Sequence, residues 1–319
     1  ITSKYQYALP LYRQESLFKQ YGIELSRKTM SDWMMKCYAL FKPLYQQLQH
    51  SLLAQGVIHA DETPLKVINE DRVTSYMWVY CTGSDSPTQS TRPNIVLYDY
   101  QMGSRAGACV VNYLQGFTGY LQVDGYAGYE KTTAKLAGCW AHARRKFIDA
   151  QKAQPKGKTG KADLALSFIQ KLYRIESSLK EKTAYEKYQI RQAQAKPILD
   201  KFYAWLVKAN IVPKSALGIA ITYSKNQWHK LIRYLDDGNV TIDNNRAERA
   251  VKPFVIGRKN WLFCNTSHGA NASAMLYSII ETAKANGLTP FDYIAHCLEQ
   301  LSSEHVDVEK LLPWNVKLS

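Results

Sequence analysis

Three acidic residues stand where metal or acid–base chemistry is possible. Asp61 closes the apolar run Val57-Ile58-His59-Ala60, and Asp124 closes Tyr120-Leu121-Gln122-Val123. Glu248 lies in D-N-N-R-A-E-R-A-V-K-P-F-V-I-G-R-K-N-W-L-F, residues 243–263, with Arg246, Arg249, Lys252, Arg258 and Lys259 around it. One carboxylate among five cations suggests a carboxylate working beside a polyanion. Each acid also has a plainer reading. Asp61 can cap a turn before Pro64, and Asp124-Gly125 is a common turn dipeptide. Glu248 can complete a capping box after the Asn pair or form an ion pair with Lys252. If the first strand of a sheet lies between its second and fourth, Asp61 and Asp124 meet at the sheet centre, and a helix across that edge adds Glu248. Three clustered carboxylates repel one another without a counter-charge. Two divalent ions about 3.5–4 Å apart supply it and clamp the attacking and leaving oxygens of a phosphodiester. Hard oxygen donors select Mg²⁺, with Mn²⁺ as a substitute.

The elements that must position these acids follow from periodicity. Residues 1–50 read as helical: Gln14 to Tyr21, a break at Gly22, then a helix capped by Ser26 and running towards Leu48. This is a helix-turn-helix outline that would offer Arg27, Lys28, Thr29 and Ser31 to DNA; a plain helical hairpin has the same outline. Residues 56–126 hold β-branched and aromatic runs, I-H-A-D-E-T, S-Y-M-W-V-Y-C-T and N-I-V-L-Y-D-Y, spaced as an antiparallel meander. A helix over 104–114, a fourth strand over 119–124 and a basic helix within 137–150 follow. Together these predict a mixed α/β sheet. Residues 151–161 read as an exposed linker, and 162–235 as helical throughout. Ala247, Ala250, Val251 and Phe254 form the apolar stripe of the Glu248 helix. Two more helices, 273–285 and 290–301, close the chain. The resulting divisions are 1–50, 51–150, 151–240 and 241–319. Glu62 alternates to the face opposite Asp61, and His59 shares the Asp61 face. His142 lies in the basic helix as a neighbour of the site.

Composition bounds the partners. The chain has 319 residues and a formal net charge of +14, which points to an anionic partner, foremost nucleic acid. Seven cations face one acid between Arg144 and Lys161, with Arg144, Arg145 and Lys146 in the foreground. No apolar run approaches the length of about 18 residues that spans a bilayer. The six cysteines, at 37, 81, 109, 139, 264 and 297, have no zinc-ligand spacing and read as reduced thiols. The opening Ile1 suggests a piece of a longer chain.

I-H-A-D-E-T-P-L, V-D-G-Y-A-G-Y, G-C-W-A-H-A-R-R-K-F, the 243–263 block and E-T-A-K-A-N-G-L-T-P occur in that order. Together they resemble the bacterial insertion-sequence transposases of the insertion-sequence-66 family. The resemblance implies an RNase H-like α/β core: a mixed five-stranded sheet with flanking helices, interrupted by an all-helical insertion, with a helical segment before it. It places the family's D, D and E on Asp61, Asp124 and Glu248, as catalytic residues and ligands of two Mg²⁺ ions. The implied activity is cutting at transposon ends followed by joining of the freed 3′-OH to target DNA. The expected partners are DNA and at least one further copy of the chain, in the bacterial cytoplasm at the nucleoid. The expected DNA contacts are Arg27, Lys28, Arg144, Arg145, Lys146, Arg246, Arg249, Lys252, Arg258 and Lys259. Two rivals share much of this reading: a nuclease or resolvase that hydrolyses without joining, and a DNA-binding protein without catalysis. Full-length members resemble this chain preceded by a cysteine-rich zinc-binding segment.

Overall fold

The computed structural model describes residues 1–71, 74–83, 93–101, 104–154, 160–303 and 305–318. Helices α1 (Thr2–Tyr5), α2 (Leu11–Gln20) and α3 (Arg27–Leu53) lead into strands β1 (Val57–Leu65), β2 (Ser75–Thr82) and β3 (Ile95–Asp99). Helix α4 (Gly107–Tyr113), strands β4 (Tyr120–Gln122) and β5 (Lys135–Ala137) and helix α5 (Trp140–Lys152) follow. Then come α6 (Lys161–Ser178), α7 (Ala184–Ile190), α8 (Lys196–Lys208), α9 (Ala216–Asn226) and α10 (Trp228–Leu231). The chain closes with α11 (Asn245–Trp261), α12 (Ser267–Ala285) and α13 (Pro290–Leu301). The fold is mixed α/β, with three antiparallel strands and two parallel ones among the described residues. It divides into two compact units, Ile1–Phe117 with Arg246–Ser319, and Thr118–Asn245.

In the first unit the β-branched and aromatic runs form the meander that their alternation predicts. Asp61 pairs with Val79, and Val79 with Tyr98. Directly paired residues share a face, so Asp61, Val79 and Tyr98 make one row. The row Ala60, Tyr80 and Leu97 faces the other way, as does the row Glu62, Trp78 and Asp99. That second face is covered by α3 and α4. Tyr80 stacks on Tyr113 with ring centroids 4.1 Å apart, and Tyr45 reaches over to donate to the Tyr98 carbonyl at 2.9 Å. Helix α3 owes its start to Ser26, whose hydroxyl accepts from the Thr29 amide. It buries Met30, Met34, Phe41, Leu44, Leu48 and Leu52.

The open edge of β3 is closed by a helix rather than by a strand. Ser278 Oγ accepts from the Tyr98 amide at 2.7 Å. Thr282 Oγ1 accepts from the Val96 amide at 3.1 Å and donates to the Val96 carbonyl at 2.8 Å. The Asn286 amide donates to the Asn94 carbonyl at 2.6 Å. These three residues recur at i, i+4 and i+8 on α12, so one helix face satisfies a strand edge that would otherwise lie bare.

In the second unit β4 and β5 pair in parallel, Leu121 with Leu136. Gln122 extends the pairing by donating to the Gly138 carbonyl at 2.8 Å. Helix α5 buries Trp140, Ala143, Phe147 and Ala150 at helical spacing. Phe202 of α8 gathers the rings of Trp140, Phe147, Phe168, Trp205 and Trp228 at 5.2–6.0 Å. Residues 161–235 are mostly helical, with breaks at 179–183 and 209–215 that the expected unbroken pattern does not show, and with a π-turn at Arg191–Ala195. That turn places Arg191, 2% exposed, in a two-pronged ion pair with Glu176 (2.9 and 2.7 Å). Lys230, also 2% exposed, pairs with Glu130.

Some boundaries move. The helix predicted over 104–114 starts at Gly107, the fourth strand is only Tyr120–Gln122, and the helix predicted from 273 begins at Ser267. The linker predicted over 151–161 falls partly outside the described residues, which omit 155–159. Thr266, whose hydroxyl accepts from the Gly269 amide, caps this helix ahead of the predicted start at Ser273.

Candidate functional site

Asp61 sits near the middle of β1, half-buried, with Oδ1 accepting from the Glu62 amide at 2.9 Å. The strand continues to Leu65, so Glu62 turns to the opposite face, where Arg105 pairs with it at 2.6 Å. His59 shares the Asp61 face and is 3% exposed. Thr63 shares it too, and its hydroxyl accepts from Arg258 of α11 at 3.2 Å.

Helix α11 is fastened to that same face. Tyr98, in the row of Asp61, donates from its hydroxyl to the Ala250 carbonyl at 2.5 Å, and its ring lies 6.1 Å from that of Phe254. Arg246 donates to the Thr82 carbonyl at 3.0 Å, close to the start of β1, where Thr82 Oγ1 donates to the Val57 carbonyl. Arg258 meets Thr63 near the other end of β1. The helix thus runs along β1, and the contact through Ala250 falls at the level of the Asp61 row. Glu248 precedes Ala250 by two residues, about 3 Å of helix axis. It is half-buried beside the buried stripe Ala247, Val251, Phe254 and Gly257, and its Oε1 is out of solvent. The ion pair with Lys252 does not form: Lys252 is exposed and holds no partner among the described residues.

Asp124 follows β4 in the second unit. Its Oδ1 accepts from the Tyr126 amide at 2.8 Å, an Asx turn. The turn chemistry foreseen from Asp124-Gly125 is therefore present. It uses one oxygen, and among the described residues the other has no hydrogen-bond partner. Gly125 packs against Tyr223 of α9: a Cβ there would lie 3.0 Å from Cε2 and 3.2 Å from the hydroxyl oxygen of that ring. Lys146 Nζ stands 4.8 Å from the same ring's centroid. Burial, with the charges of Cys139 and Asp124, raises the Tyr223 phenol well above its ordinary range, while Arg145 lowers it. Tyr223 was not foreseen. It is one of 22 tyrosines, and no local pattern marks it, since its role comes from a contact about a hundred residues distant in sequence.

The remaining foreseen cations divide into three sets. Arg27 pairs with Glu15 at 2.9 Å and Lys28 with Asp32 at 2.9 Å, on the exposed start of α3. Arg246 and Arg258 are turned inward, to Thr82 and Thr63, and burial lowers the Arg258 pKa. Arg144 and Arg145 are exposed on α5, Arg145 opposite its buried stripe and Arg144 beside it, and Arg249, Lys252 and Lys259 are exposed on α11. Arg144 also borders a cleft of about 550 Å³ between α5 and α6, lined further by Ile148, Gln151, Leu166, Gln170 and Tyr173. His142 is half-buried on α5.

Asp61, Asp124 and Glu248 each offer carboxylate oxygens, which are hard donors. Oxygen-only ligand sets suit Mg²⁺ or Mn²⁺ and do not favour zinc or copper. No helix among the described residues is long and apolar enough to cross a membrane.

Comparison with known proteins identifies the family. The chain is 32% identical over 333 residues to the uncharacterized protein y4qI of Sinorhizobium fredii (strain NBRC 101917 / NGR234), covering 99% of this chain and 61% of that protein. It is 34% identical to y4jD of the same strain, covering 99% and 65%, and 32% identical to y4hP, covering 97% and 59%. The chain thus spans less than two thirds of the length of these curated relatives. Residues 1–272 match the family described as transposase IS66 family, and residues 278–314 match the IS66 C-terminal element. With both matches in order along nearly its whole length, the chain belongs to the IS66 transposase family.

Proposed function

We propose that this chain is the catalytic part of a DDE transposase with an RNase H-like core, in which Asp61, Asp124 and Glu248 are the metal-binding carboxylates. The observation that carries the reading is the fastening of α11, the helix bearing Glu248, by Tyr98 to the sheet row of Asp61, which supports assigning the two acids to one site. Family membership supports the choice of substrate, DNA. Two Mg²⁺ ions bound to carboxylates would stabilise charge on the attacking and leaving oxygens of a phosphodiester. The protein's own part is positional. Asp61 and Glu248 come from rigid elements, a central position of a strand and a packed helix, and Asp124 from a turn held by its own side chain. The exposed cations Arg144, Arg145, Arg249, Lys252 and Lys259 serve the DNA backbone, which sets register without reading sequence. Cutting and joining proceed without a covalent protein–DNA intermediate, in a complex that pairs two DNA ends and therefore holds at least two copies.

The test uses oligonucleotides with a pre-cut 3′-OH and a supercoiled plasmid in Mg²⁺ or Mn²⁺. Asp61→Asn, Asp124→Asn and Glu248→Gln are each expected to abolish nicking and joining while DNA binding survives. Cleavage retained in any of the three removes that residue from the site. Cleavage without joined products points to a hydrolytic nuclease, and metal-indifferent binding without cleavage points to a DNA-binding protein.

A further inference from the structure

Helix α9 has no role in the chemistry so far, yet it brings one side chain to the Asp124 turn. Tyr223 lies against Gly125, and the approach is close enough that a Cβ at 125 would press on the ring at 3.0 Å. Glycine at 125 is what admits the phenol. Its hydroxyl makes no hydrogen bond within the described residues, although the ring is half-buried. Tyrosine keeps its proton at neutral pH, so the hydroxyl is a neutral donor beside an acid. Lys146 holds the ring face at 4.8 Å, and Arg145 is the next residue on α5. A half-buried donor next to a carboxylate, with two cations at hand, suits an anionic oxygen better than it suits the carboxylate alone. The Asp124 Oδ1 is already taken by the Tyr126 amide at 2.8 Å.

We propose that Tyr223 is a positioning residue for the phosphodiester engaged at Asp124. Its hydroxyl donates to a non-bridging phosphate oxygen, while Lys146, over the ring, and Arg145 balance the phosphate charge. This assignment rests on the reading of Asp124 as part of the reacting site. It gives the helical block between β5 and α11 a direct part in holding substrate.

The experiment uses the chain as it stands, with 3-fluorotyrosine placed at position 223 and a single-stranded oligonucleotide as the phosphodiester probe. Adding oligonucleotide in Mg²⁺ is expected to shift the fluorine resonance, and Asp124→Asn is expected to abolish that shift. In parallel, Tyr223→Phe keeps the ring and removes only the hydroxyl. It is expected to slow plasmid nicking at saturating DNA by about tenfold or more, the loss of one hydrogen bond to a charged group. Melting temperature, Mn²⁺ affinity and plasmid affinity are expected to stay at parental values. Gly125→Ala, which displaces the phenol, is expected to reproduce the rate loss. A fluorine resonance indifferent to oligonucleotide, or a Phe variant nicking at the parental rate while Asp124→Asn is inactive, overturns the Tyr223 assignment and leaves Asp124 intact. Weakened Mn²⁺ binding in Tyr223→Phe overturns the phosphate contact in favour of a role at the metal ligands. Normal nicking by Asp124→Asn brings down both assignments together.

Discussion

Asp99 illustrates how one residue can cost stability outside any reacting site. It lies in the row of Glu62 and Trp78, on the face covered by α3 and α4, with Tyr45, Tyr80 and Tyr113 nearby. Burial raises its pKa from 3.8 to about 6, partly opposed by hydrogen bonds from Gln101 and the Tyr100 amide. Below about pH 4 both folded and unfolded chains hold the proton. Between there and about pH 6 the unfolded chain releases it while the folded chain keeps it, so folding stability falls as pH rises. A displacement of this size is worth about 3 kcal/mol. Asp99→Asn is therefore expected to raise stability by up to about 3 kcal/mol at pH 7 and to change little at pH 4. Urea unfolding at the two pH values measures this. The residue scale is also where sequence reading is least secure. Arg246 reads as a DNA contact because cations crowd the block, yet its guanidinium holds the Thr82 carbonyl. Arg144 reads the same way and is exposed, with no acid partner among the described residues. Side-chain destination depends on which backbone groups lie within reach, and that is a property of the fold.

Two elements carry the placement of Glu248, and each can be tested by its packing. Helix α11 passes α12 so closely at Gly257 that an added Cβ would strike the Tyr277 hydroxyl. Gly257→Ala is expected to cost about 1–3 kcal/mol by overpacking and to lower nicking through displacement of α11. Helix α12 in turn holds β3. Thr282→Val keeps the shape and removes both hydrogen bonds to Val96, leaving a buried amide and carbonyl unsatisfied. The expected loss is about 2–4 kcal/mol. Hydrogen exchange at Val96 and Tyr98 should accelerate by more than exchange within β1. The strands β1 to β3 and helices α11 and α13 were legible because their apolar periods are long and unbroken. The edge clamp was not. Ser278 and Thr282 lie inside the predicted helix and Asn286 just past its end, and sequence does not say which strand edge that face meets. Strand β4 is just three residues long, too short for alternation to fix its ends.

For the whole molecule, the charge of +14 predicts DNA affinity that falls steeply with salt. Each released phosphate counterion adds about 0.9 to the log–log slope on double-stranded DNA. Arg144→Ala and Lys252→Ala are each expected to reduce that slope by about 1. Arg246→Ala is expected to leave the slope unchanged and to lower the melting temperature, because its partner is the Thr82 carbonyl. Fluorescence anisotropy across a salt series, with a thermal melt of each variant, separates the two kinds of arginine. The division into two units also bears on how the chain is made. One unit is a single stretch, Thr118–Asn245, whereas the other needs both ends of the chain. Val96 waits for Thr282, 186 residues later. At a ribosomal rate of about 5–20 residues per second, the β3 edge stays uncovered for about 10–40 s of synthesis. During that interval the nascent chain offers a bare, apolar strand to any other strand nearby. The α12 clamp thus sets a time window in which chaperone access decides how much of the protein reaches its native state.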